Sequence, residues 1–438
     1  MSWATVKLGE LITESRVPSN NPDPDRRITV RLNVLGVEKR PLENEKAGAT
    51  KQFIRKAGQF IYGKQNFHKG AFGIIPNELD GFESSADLPS FDVREDCMAE
   101  WVFYFFKQGG YYLELAKIAR GVATQRIHPE QIYDLEIPLP DLDTQKNIIK
   151  SIKAIEEKGE RLNNELSCQL TQLENLNQAI LQEAVQGKLV SQDPNDEPAS
   201  ELLKRIKAEK ATLRQAQGKG KKEKPLPLIK PEEIPFEIPE NWVWCRLGEI
   251  AESTSGGTPD RSNPNYWNGN ISWLKSGELT DDFIENESEE KITEEGFKNS
   301  SAKLFPGGTL LIALYGATAG KLGILKFEST TNQAVCGFFE NKFYVTKYLF
   351  YFLWAFRGKI IKDSWGQAQP NISQTYLKNL LLAFPPLSEQ KRIVAEISTQ
   401  FAKTQQLKEH IIANQQATEQ LLKALLHQAF EVKEMETA

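Results

Sequence analysis

Apolar residues recur along two stretches of this chain at steps of three and four, which is the spacing of one helix face. The first stretch runs from Ile148 to Ile180 and the second from Ile393 to Leu425, beginning 245 positions after the first. Steps that average near 3.5 residues are typical of a coiled-coil seam. The pattern predicts two long helices, which either belong to two ordinary cores or pair with each other.

The shared register of the two stretches favours helices that pair with each other. In an antiparallel pairing over the full seams, residues whose numbers sum to about 573 are neighbours, which places Gly159 near Asn414. A proline-bearing turn precedes each helix, and Asp143 and Ser388 are the predicted N-caps. The residues expected to form the pairing are Leu162, Leu166, Leu176, Ile180, Ile393, Ile397, Leu407 and Ile411.

The remaining chain consists of short apolar runs separated by glycine and proline. Ile28 to Val34 alternates like a strand, further strands begin near Gly58 and Gly70, and Glu100 to Phe106 is a predicted buried helix. These features occur twice. Gly58, Gly70 and Gly73 recur 250 positions later as Gly308, Gly320 and Gly323. The sequence therefore predicts an α+β fold: two mixed α/β domains separated by two long helices that form an antiparallel coiled coil, as a pseudo-twofold tandem repeat.

The same patterns give the expected domain boundaries. They are a first domain over 1–142, a first long helix over 143–190, a short helix with a flexible basic and proline-rich linker over 191–240, a second domain over 241–387, a second long helix over 388–432 and a tail over 433–438.

Composition excludes several classes of protein. The chain has 438 residues and a net charge of −5, which lowers the expectation of nucleic-acid binding without excluding a local basic surface. Its four cysteines are far apart, and no apolar run is long enough to cross a bilayer. Met1 leads straight into a strand-like segment, so no signal peptide is expected. These features indicate a cytoplasmic protein.

The sequence contains no catalytic motif that we can identify. The four histidines lack metal-ligand spacing, and no phosphate-binding loop, dinucleotide fingerprint or nucleophile elbow appears. Asn263–Tyr266 resembles the Asn-Pro-Pro-Tyr motif of amino-methyltransferases, but its third residue differs and no cofactor motif lies upstream. A turn is the better interpretation. We therefore expect no catalytic, cofactor-binding or metal-binding residues in this chain.

Several loops combine glycine with polar side chains that can contact base edges and phosphates. In these loops, Gly256–Pro259, Gly316–Lys321 and Asn332–Ala334 resemble the target-recognition domain of the specificity subunits of Type I restriction–modification enzymes. Pro385–Val394 resembles the proline-rich turn and helix start of the same family, and Ala184–Val190 resembles the stretch that follows its first helix. The resemblance covers nearly the whole chain.

This resemblance implies a non-catalytic subunit in which each domain reads one half of a bipartite DNA site. It implies that the helices set the gap between the halves and dock two modification (methyltransferase) subunits, with restriction (translocase and nuclease) subunits completing the complex. S-adenosylmethionine, ATP and Mg are then expected on those partner subunits, and no membrane is involved. The alternatives are a self-contained DNA methyltransferase or nuclease, and a coiled-coil scaffold that does not bind DNA.

The residues expected to contact DNA lie in the polar loops of both domains. In the first domain they are Lys64, Gln65, Asn66, Lys69, Arg120, Thr124, Gln125 and Arg126. In the second they are Gly257, Thr258, Arg261, Tyr315, Thr318, Lys321, Asn332, Gln333, Gln369 and Asn371. The helix from Ile148 to Ile180 would rise about 50 Å, which corresponds to roughly 15 base pairs.

Overall fold

The computed structural model describes residues 3–41, 50–120, 125–216, 226–364 and 371–430. The chain divides into two compact units. Unit 1 comprises Met1–Gln169 and His410–Ala438, and unit 2 comprises Leu170–Glu409. The predicted basic linker over 218–225 and the predicted tail over 433–438 lie outside the described residues.

In unit 1, a series of short strands and helices precedes the first long helix, whose residues from Leu170 onward belong to unit 2. In chain order these elements are β1 (Ala4–Lys7), α1 (Leu8–Leu11), β2 (Ile12–Ser15), β3 (Ile28–Val30), β4 (Val37–Lys39), β5 (Gln52–Ile54), β6 (Phe60–Tyr62), β7 (Phe72–Ile74), β8 (Glu83–Ser85), β9 (Ser90–Val93), α2 (Ala99–Lys107), α3 (Tyr111–Glu114), α4 (Pro129–Tyr133), β10 (Glu136–Leu139) and α5 (Leu142–Val185).

The main sheet of unit 1 is antiparallel, with the strand order β2-β9-β6-β7. Its central strand β6 is buried at every position, because Phe60 and Tyr62 pack into an aromatic core on one face and Ile61 into a smaller cluster on the other. The strand predicted over Ile28–Val34 ends at Val30 and turns at Asn33, so the second half of that prediction is wrong.

Unit 2 continues with α6 (Ala199–Ala216), β11 (Val243–Arg246), α7 (Leu247–Ile250), β12 (Ser253–Ser255), β13 (Trp267–Leu274), β14 (Phe283–Ile284), β15 (Lys291–Ile292), α8 (Glu294–Lys298), β16 (Leu304–Phe305), β17 (Leu310–Ala313), β18 (Leu322–Leu325), β19 (Ser329–Thr331), β20 (Val335–Phe338), α9 (Thr346–Ala355), α10 (Arg357–Asp363), α11 (Gln374–Asn379), β21 (Leu381–Phe384) and α12 (Leu387–Phe430). Its sheets have the orders β12-β20-β17-β18-β14 and β15-β13-β19-β16.

Equivalent contacts recur in the two units. In unit 1, β1 pairs antiparallel with β10, and the Leu8 N–H donates to the Leu135 carbonyl at 2.8 Å. In unit 2, β11 pairs antiparallel with β21, and the Leu247 N–H donates to the Leu380 carbonyl at 2.9 Å. In each domain, the first strand therefore pairs with the strand that immediately precedes the long helix.

A buried glutamine fixes the start of each long helix. Gln145 and Gln390 are fully buried. Each accepts a hydrogen bond from the residue before a domain helix and donates one to the turn before its own long helix, at 2.8 to 3.0 Å. The partners are Met98 and Pro140 in unit 1, and Val345 and Pro385 in unit 2. These bonds satisfy backbone groups that helix ends otherwise leave free.

The two predicted long helices are present, but both predicted caps are wrong. The first helix begins one residue earlier, and the Asp141 side chain caps it by accepting the Thr144 N–H at 2.9 Å in place of Asp143. Ser388 lies inside the first turn of α12 and donates a hydrogen bond to Asp196. In both cases the helix starts immediately after the proline-bearing turn. No helix in the described part of the chain is long and apolar enough to cross a membrane.

The first long helix ends in a Schellman motif within unit 2. Gly187 has φ of 71°, and its N–H donates to the Ala184 carbonyl at 3.3 Å. The Lys188 N–H donates to the Glu183 carbonyl at 2.9 Å. A left-handed glycine with these two bonds stops a helix at low cost. The last turn before it is buried in the core of unit 2 through Leu181, Ala184 and Val185.

The paired helices in unit 1 follow a different register from the predicted one. Gly159 lies against Leu422, since a Cβ built on this glycine would come within 2.6 Å of the leucine side chain. Gln415 donates to the Ser167 hydroxyl at 3.3 Å. The predicted neighbour of Gly159 is Asn414, so the prediction is wrong by eight positions, which is about two helical turns.

Unit 2 shows the same register, and only part of the predicted seam is buried. Thr404 donates to the Asn177 side chain at 2.8 Å, which places a polar pair in the interface. Leu162, Leu176 and Leu407 are 42%, 47% and 53% exposed, so their predicted place in the seam is wrong. The buried members of the predicted set are Leu166, Ile180, Ile393, Ile397 and Ile411. Of these, Ile180, Ile393 and Ile397 lie in the domain core of unit 2.

A buried carboxylate connects the start of α12 to the preceding linker in unit 2. Glu389 is fully buried and accepts hydrogen bonds from Trp242 Nε1 at 3.0 Å and from the Gln192 side chain. Beside it, Arg392 and Asp196 form an ion pair at 2.6 Å. Burial raises the pKa of Glu389, because removal from water disfavours the charged form more than these donors favour it.

The raised pKa of Glu389 makes the stability of unit 2 depend on pH. A carboxyl group that binds its proton more tightly when folded contributes stability below its unfolded pKa, and this contribution is lost as pH rises through the folded pKa. We therefore expect the stability of Glu389→Gln to improve relative to the natural chain as pH is raised from 4 to 7. Denaturant unfolding across this range tests it. Glu419→Gln, on the exposed face of the same helix, is the control for the chemical change from carboxyl to amide.

Candidate nucleic-acid interface

In unit 1, a tight loop between β6 and β7 presents polar side chains. The loop contains a 3-10 turn over Phe67–Lys69 and closes at Gly70, which has φ of 79°. Phe67 is fully buried and stacks on Tyr62, with ring centroids 4.3 Å apart. This buried ring fixes the middle of the loop. The polar residues that remain exposed or half-buried are Lys64, Gln65, Asn66 and Lys69.

A second segment of unit 1 lies beside this loop. Arg120 and Arg126 exchange two backbone hydrogen bonds of 2.8 Å, and the Ile127 N–H donates to the Lys64 carbonyl at 2.8 Å. Gln125 is exposed next to Arg126. The structure therefore brings together seven of the eight predicted residues of the first domain, and the eighth lies outside the described residues.

The charge of this surface is predominantly positive. Among the described residues, neither Lys64 nor Lys69 forms an ion pair, while Arg126 pairs with Asp87 at 3.2 Å. The Lys64 N–H also donates to the Asp87 carbonyl at 2.9 Å. Asp87 was not predicted from the sequence, because the loop that carries it shows no pattern that relates it to residues far away in the chain. It orients one arginine and leaves the lysines available for a negatively charged partner.

In unit 2, the equivalent loop follows β17. The Ile372 N–H donates to the Leu314 carbonyl at 2.7 Å, as Ile127 does to Lys64 in unit 1, and Asn371 bridges to Tyr315. Exposed Tyr315 and half-buried Thr318 and Lys321 lie along this loop. The loop also contacts the segment before β20, because the Leu314 N–H donates to a carbonyl there at 2.7 Å. That carbonyl belongs to Ala334, which directly follows Asn332 and Gln333.

The glycine-rich loop after β12 joins the same group of loops. Thr258 donates a hydrogen bond to the Gln333 side chain, and Gly257 donates to the Thr331 carbonyl at 2.9 Å. Gly257 is buried, and its own carbonyl accepts the Trp273 Nε1–H at 2.9 Å. A Cβ built on Gly257 would come within 2.4 Å of the Ser301 backbone, so close packing requires a glycine here. Its contact with DNA stays a prediction. Thr258 remains half-buried at the rim.

Arg261 has a structural environment that the sequence did not reveal. Its guanidinium lies 3.8 Å from the ring centroid of Trp267 and 4.7 Å from that of Trp273. Glu290 accepts hydrogen bonds from Arg261 and from Lys275. These bonds hold the pKa of the Glu290 carboxyl below its ordinary value, and the bond from Arg261 has the larger effect. Cation–π contacts and an ion pair occupy this arginine. It therefore stabilises the loop that carries Thr258.

The site residues Thr124 and Gln369 lie outside the described residues, as does the segment around each of them. The described ends of the two segments correspond. Arg120 and Arg126 flank the first, and Ser364 and Asn371, joined by a 2.9 Å backbone hydrogen bond, flank the second. The described residues on either side of each segment therefore lie beside the polar loops.

No group of three histidine, cysteine, aspartate or glutamate residues in the described ranges could hold a metal ion. Burial raises the pKa of Cys97 and of Cys336 to about 12, which keeps both thiols protonated at neutral pH. Burial raises the pKa of Cys245 further. The surfaces are suited to binding through charge and hydrogen bonds.

Comparison with known proteins identifies a related family. Residues 239–415 match the family described as the Type I restriction modification DNA specificity domain. The chain is 32% identical over 270 residues to the specificity subunit of the Type I restriction enzyme EcoEI from Escherichia coli. That match covers 57% of this chain and 44% of the relative, so the chain spans less than half the length of this curated relative.

Solved structures share the fold over nearly the whole chain. A chain solved in work on complex assembly and conformational transition of the type I R-M system aligns with a TM-score of 0.68 at 18% identity, covering 98% of each chain. The HsdS subunit from Thermoanaerobacter tengcongensis aligns with a TM-score of 0.56 at 19% identity, covering 98% of this chain and 96% of that one. At these identities the likeness shows the fold, and the predicted mixed helix-and-sheet architecture is confirmed.

Proposed function

We propose that this chain belongs to the specificity subunits of Type I restriction–modification enzymes, and that it recognises DNA and leaves the chemistry to partner subunits. In this proposal each unit carries one recognition surface, and each surface reads one half of a bipartite site. The observation that carries the proposal is the hydrogen bond from Ile127 to Lys64 in unit 1 and its equivalent from Ile372 to Leu314 in unit 2. Both bonds hold polar loops together at the same place in the repeated frame.

The residues at the two surfaces differ, which supports recognition of two different half-sites. Unit 1 presents Lys64, Gln65 and Lys69, whereas unit 2 presents Tyr315 and Gln333. Lysine and glutamine can read guanine and adenine in the major groove, and lysine also contacts phosphates. One scaffold with two sets of side chains suits an asymmetric site.

The overall charge of each domain supports dependence on partner subunits. Residues 1–140 contain 18 Lys and Arg against 19 Asp and Glu, and residues 241–386 contain 14 against 15. Near-neutral domains gain little from counterion release. Modification subunits that dock on the helices and surround the duplex would supply the missing affinity, along with S-adenosylmethionine. Restriction subunits would add ATP-driven cleavage.

Reconstitution with a modification subunit tests the proposal. The chain alone should not methylate DNA, and addition of its modification subunit should produce methylation at a two-part sequence. Gln65→Ala should relax the sequence requirement in one half, and Gln333→Ala in the other, each by about 1–3 kcal/mol of discrimination at the affected base pair. Genome-wide mapping of methylated positions measures both effects.

Gln172→Ala is the matched control, because Gln172 is an exposed glutamine on the helix α5 and belongs to neither group of polar loops. It should leave both half-sites unchanged. Methyl transfer by the lone chain would contradict the division of labour. Relaxation of the same half-site by both surface variants would contradict the assignment of one half to each unit.

A further inference from the structure

The turn between β3 and β4 in unit 1 has an unusual backbone. Asn33 and Val34 have φ of 56° and 59°. Two-residue hairpin turns of this kind favour Asn-Gly, because a side chain at positive φ is strained. Strain is greatest for a β-branched residue such as Val34. Backbone strain of this type persists where the surrounding structure imposes it, and it is frequent at functional sites.

The turn is held against the polar loop of the candidate interface. The Asn33 N–H donates to the Lys69 carbonyl at 2.9 Å, and the Val34 N–H donates to the Gly70 carbonyl at 2.8 Å. A Cβ built on Gly70 would come within 2.9 Å of the Asn33 nitrogen. Gly70 therefore allows the turn to approach, and the two hydrogen bonds hold its backbone in the strained conformation.

This rigid turn exposes apolar side chains. Leu35 is 75% exposed and Leu32 is 42% exposed, with exposed Asn33 between them. Val34 instead packs partly against the aromatic core of unit 1. The strained residue thus serves as the anchor, and the two leucines project from the molecule. The tip therefore presents a small apolar patch held in a fixed position.

We propose that the tip Leu32–Leu35 is a DNA-contacting arm of unit 1. A two-stranded ribbon can enter a groove of the duplex, and leucines in that position contact the apolar parts of bases. Duplex DNA is favoured as the occupant because the loop beneath the tip, from Gly63 to Ala71, contains two lysines and no acidic residue. This inference rests on the proposed function and adds an apolar element to the polar surface.

The arm should act on one half-site only. In unit 2 the glycine equivalent to Gly70 is Gly320, which also has positive φ, at 80°. A Cβ built on Gly320 would approach Arg357 and Ile361 of α10. A helix thus occupies in unit 2 the place that the turn occupies in unit 1.

Salt-dependent binding distinguishes an apolar contact from a phosphate contact. We would measure affinity of the full chain, assembled with its modification subunits, for its target duplex at several salt concentrations. Leu35→Ala should weaken binding about tenfold, since it removes most of a buried leucine side chain, and the slope of log affinity against log salt should not change. Lys69→Ala should reduce that slope by about 1. Val17→Ala, an exposed apolar residue of the same unit, should bind normally.

A second variant tests the other exposed leucine of the tip. Leu32→Ala should also weaken DNA binding and leave the salt slope unchanged, since it removes apolar surface and no charge. Normal DNA affinity of Leu35→Ala would overturn the arm, and so would weaker assembly with the modification subunits at unchanged DNA affinity, because the tip would then be a protein-docking surface. If the natural complex itself did not bind a two-part DNA site, the proposed function would fail together with the arm.

Discussion

Replacing Arg55 with methionine should lower the free energy of unfolding of unit 1 by about 3 kcal/mol. Arg55 is 1% exposed and donates five hydrogen bonds. The acceptors are the hydroxyls of Ser84 and Ser90 and the carbonyls of Ser15, Ser85 and Leu88. Methionine fills much of the same volume but supplies none of these five donors, although the Leu88 carbonyl keeps the Ser84 hydroxyl and the Ser85 carbonyl keeps the Leu88 N–H. Each such loss costs about 1–3 kcal/mol.

The charge of Arg55 remains in place at neutral pH. Burial lowers its pKa to about 10, because the guanidinium is removed from water. Lysine keeps the charge but cannot supply five donors in a planar fork. Arg55→Lys should therefore also destabilise unit 1, which would separate the effect of hydrogen-bond geometry from that of charge.

Arg55→Met should also weaken DNA binding, because Arg55 positions the loop that carries Asp87. Arg55 holds the carbonyls on both sides of Asp87, and Asp87 in turn bonds Arg126 and the Lys64 backbone. Hydrogen–deuterium exchange should become faster across Ser84–Ser90, and denaturant unfolding should report the lost stability. Arg94→Met is the control, since Arg94 forms an exposed pair with Asp96, which contributes little. Equal stability of the two variants would contradict the prediction.

The sequence predicted the elements that depend on local patterns. A period near 3.5 predicts helices over Ile148–Ile180 and Ile393–Leu425, and both lie inside helices of 44 residues. Recurring glycines predict equivalent positions in the two domains, and Gly70 and Gly320 share a left-handed backbone and a place beside the polar loops. Helical period and glycine conformation are set by nearby residues, so one sequence is sufficient to predict them.

Contacts between distant residues could not be predicted in the same way. A seam with a repeating period allows several registers, because sliding one helix by about two turns again brings apolar residues face to face. Gly159 against Leu422 and Asn177 with Thr404 select the observed register. Neither pair can be predicted without knowing which residues of the partner helix lie opposite.

The candidate site shows the same limit. Polar loops identified most of the surface, but the roles of Gly257 and Arg261 depend on strands and loops that fold over them. The turn at Asn33 was predicted as strand, because Val34 belongs to residues that favour strands. Tertiary hydrogen bonds to Lys69 and Gly70 override that preference.

The last prediction concerns the length of the paired helices. If they set the gap between the two proposed half-sites, lengthening them should lengthen that gap. An insertion near Gln182 would disturb the core of unit 2, because this side chain donates to the Ala355 carbonyl at 3.0 Å and its neighbour Leu181 is buried. Matched insertions of seven residues after Gln172 and after Lys408 leave the Gln182 hydrogen bond and the packing of Leu181 intact. Seven residues preserve the seam period and lengthen the paired helices by about 10 Å, equal to roughly 3 base pairs.

If the helices set the gap, the matched insertion should lengthen the preferred spacer by about 3 base pairs and leave both half-site sequences unchanged. With the same seven residues in α5 alone, the helices cannot keep both Asn177 beside Thr404 and Gly159 beside Leu422, so that variant should lose stability without a defined new gap. Exchange of residues 241–386 for the domain of a relative should do the reverse, changing one half-site at a constant gap. Methylation mapping compares all three variants. A matched insertion that altered a half-site and kept the gap would show that the helices do not measure the distance.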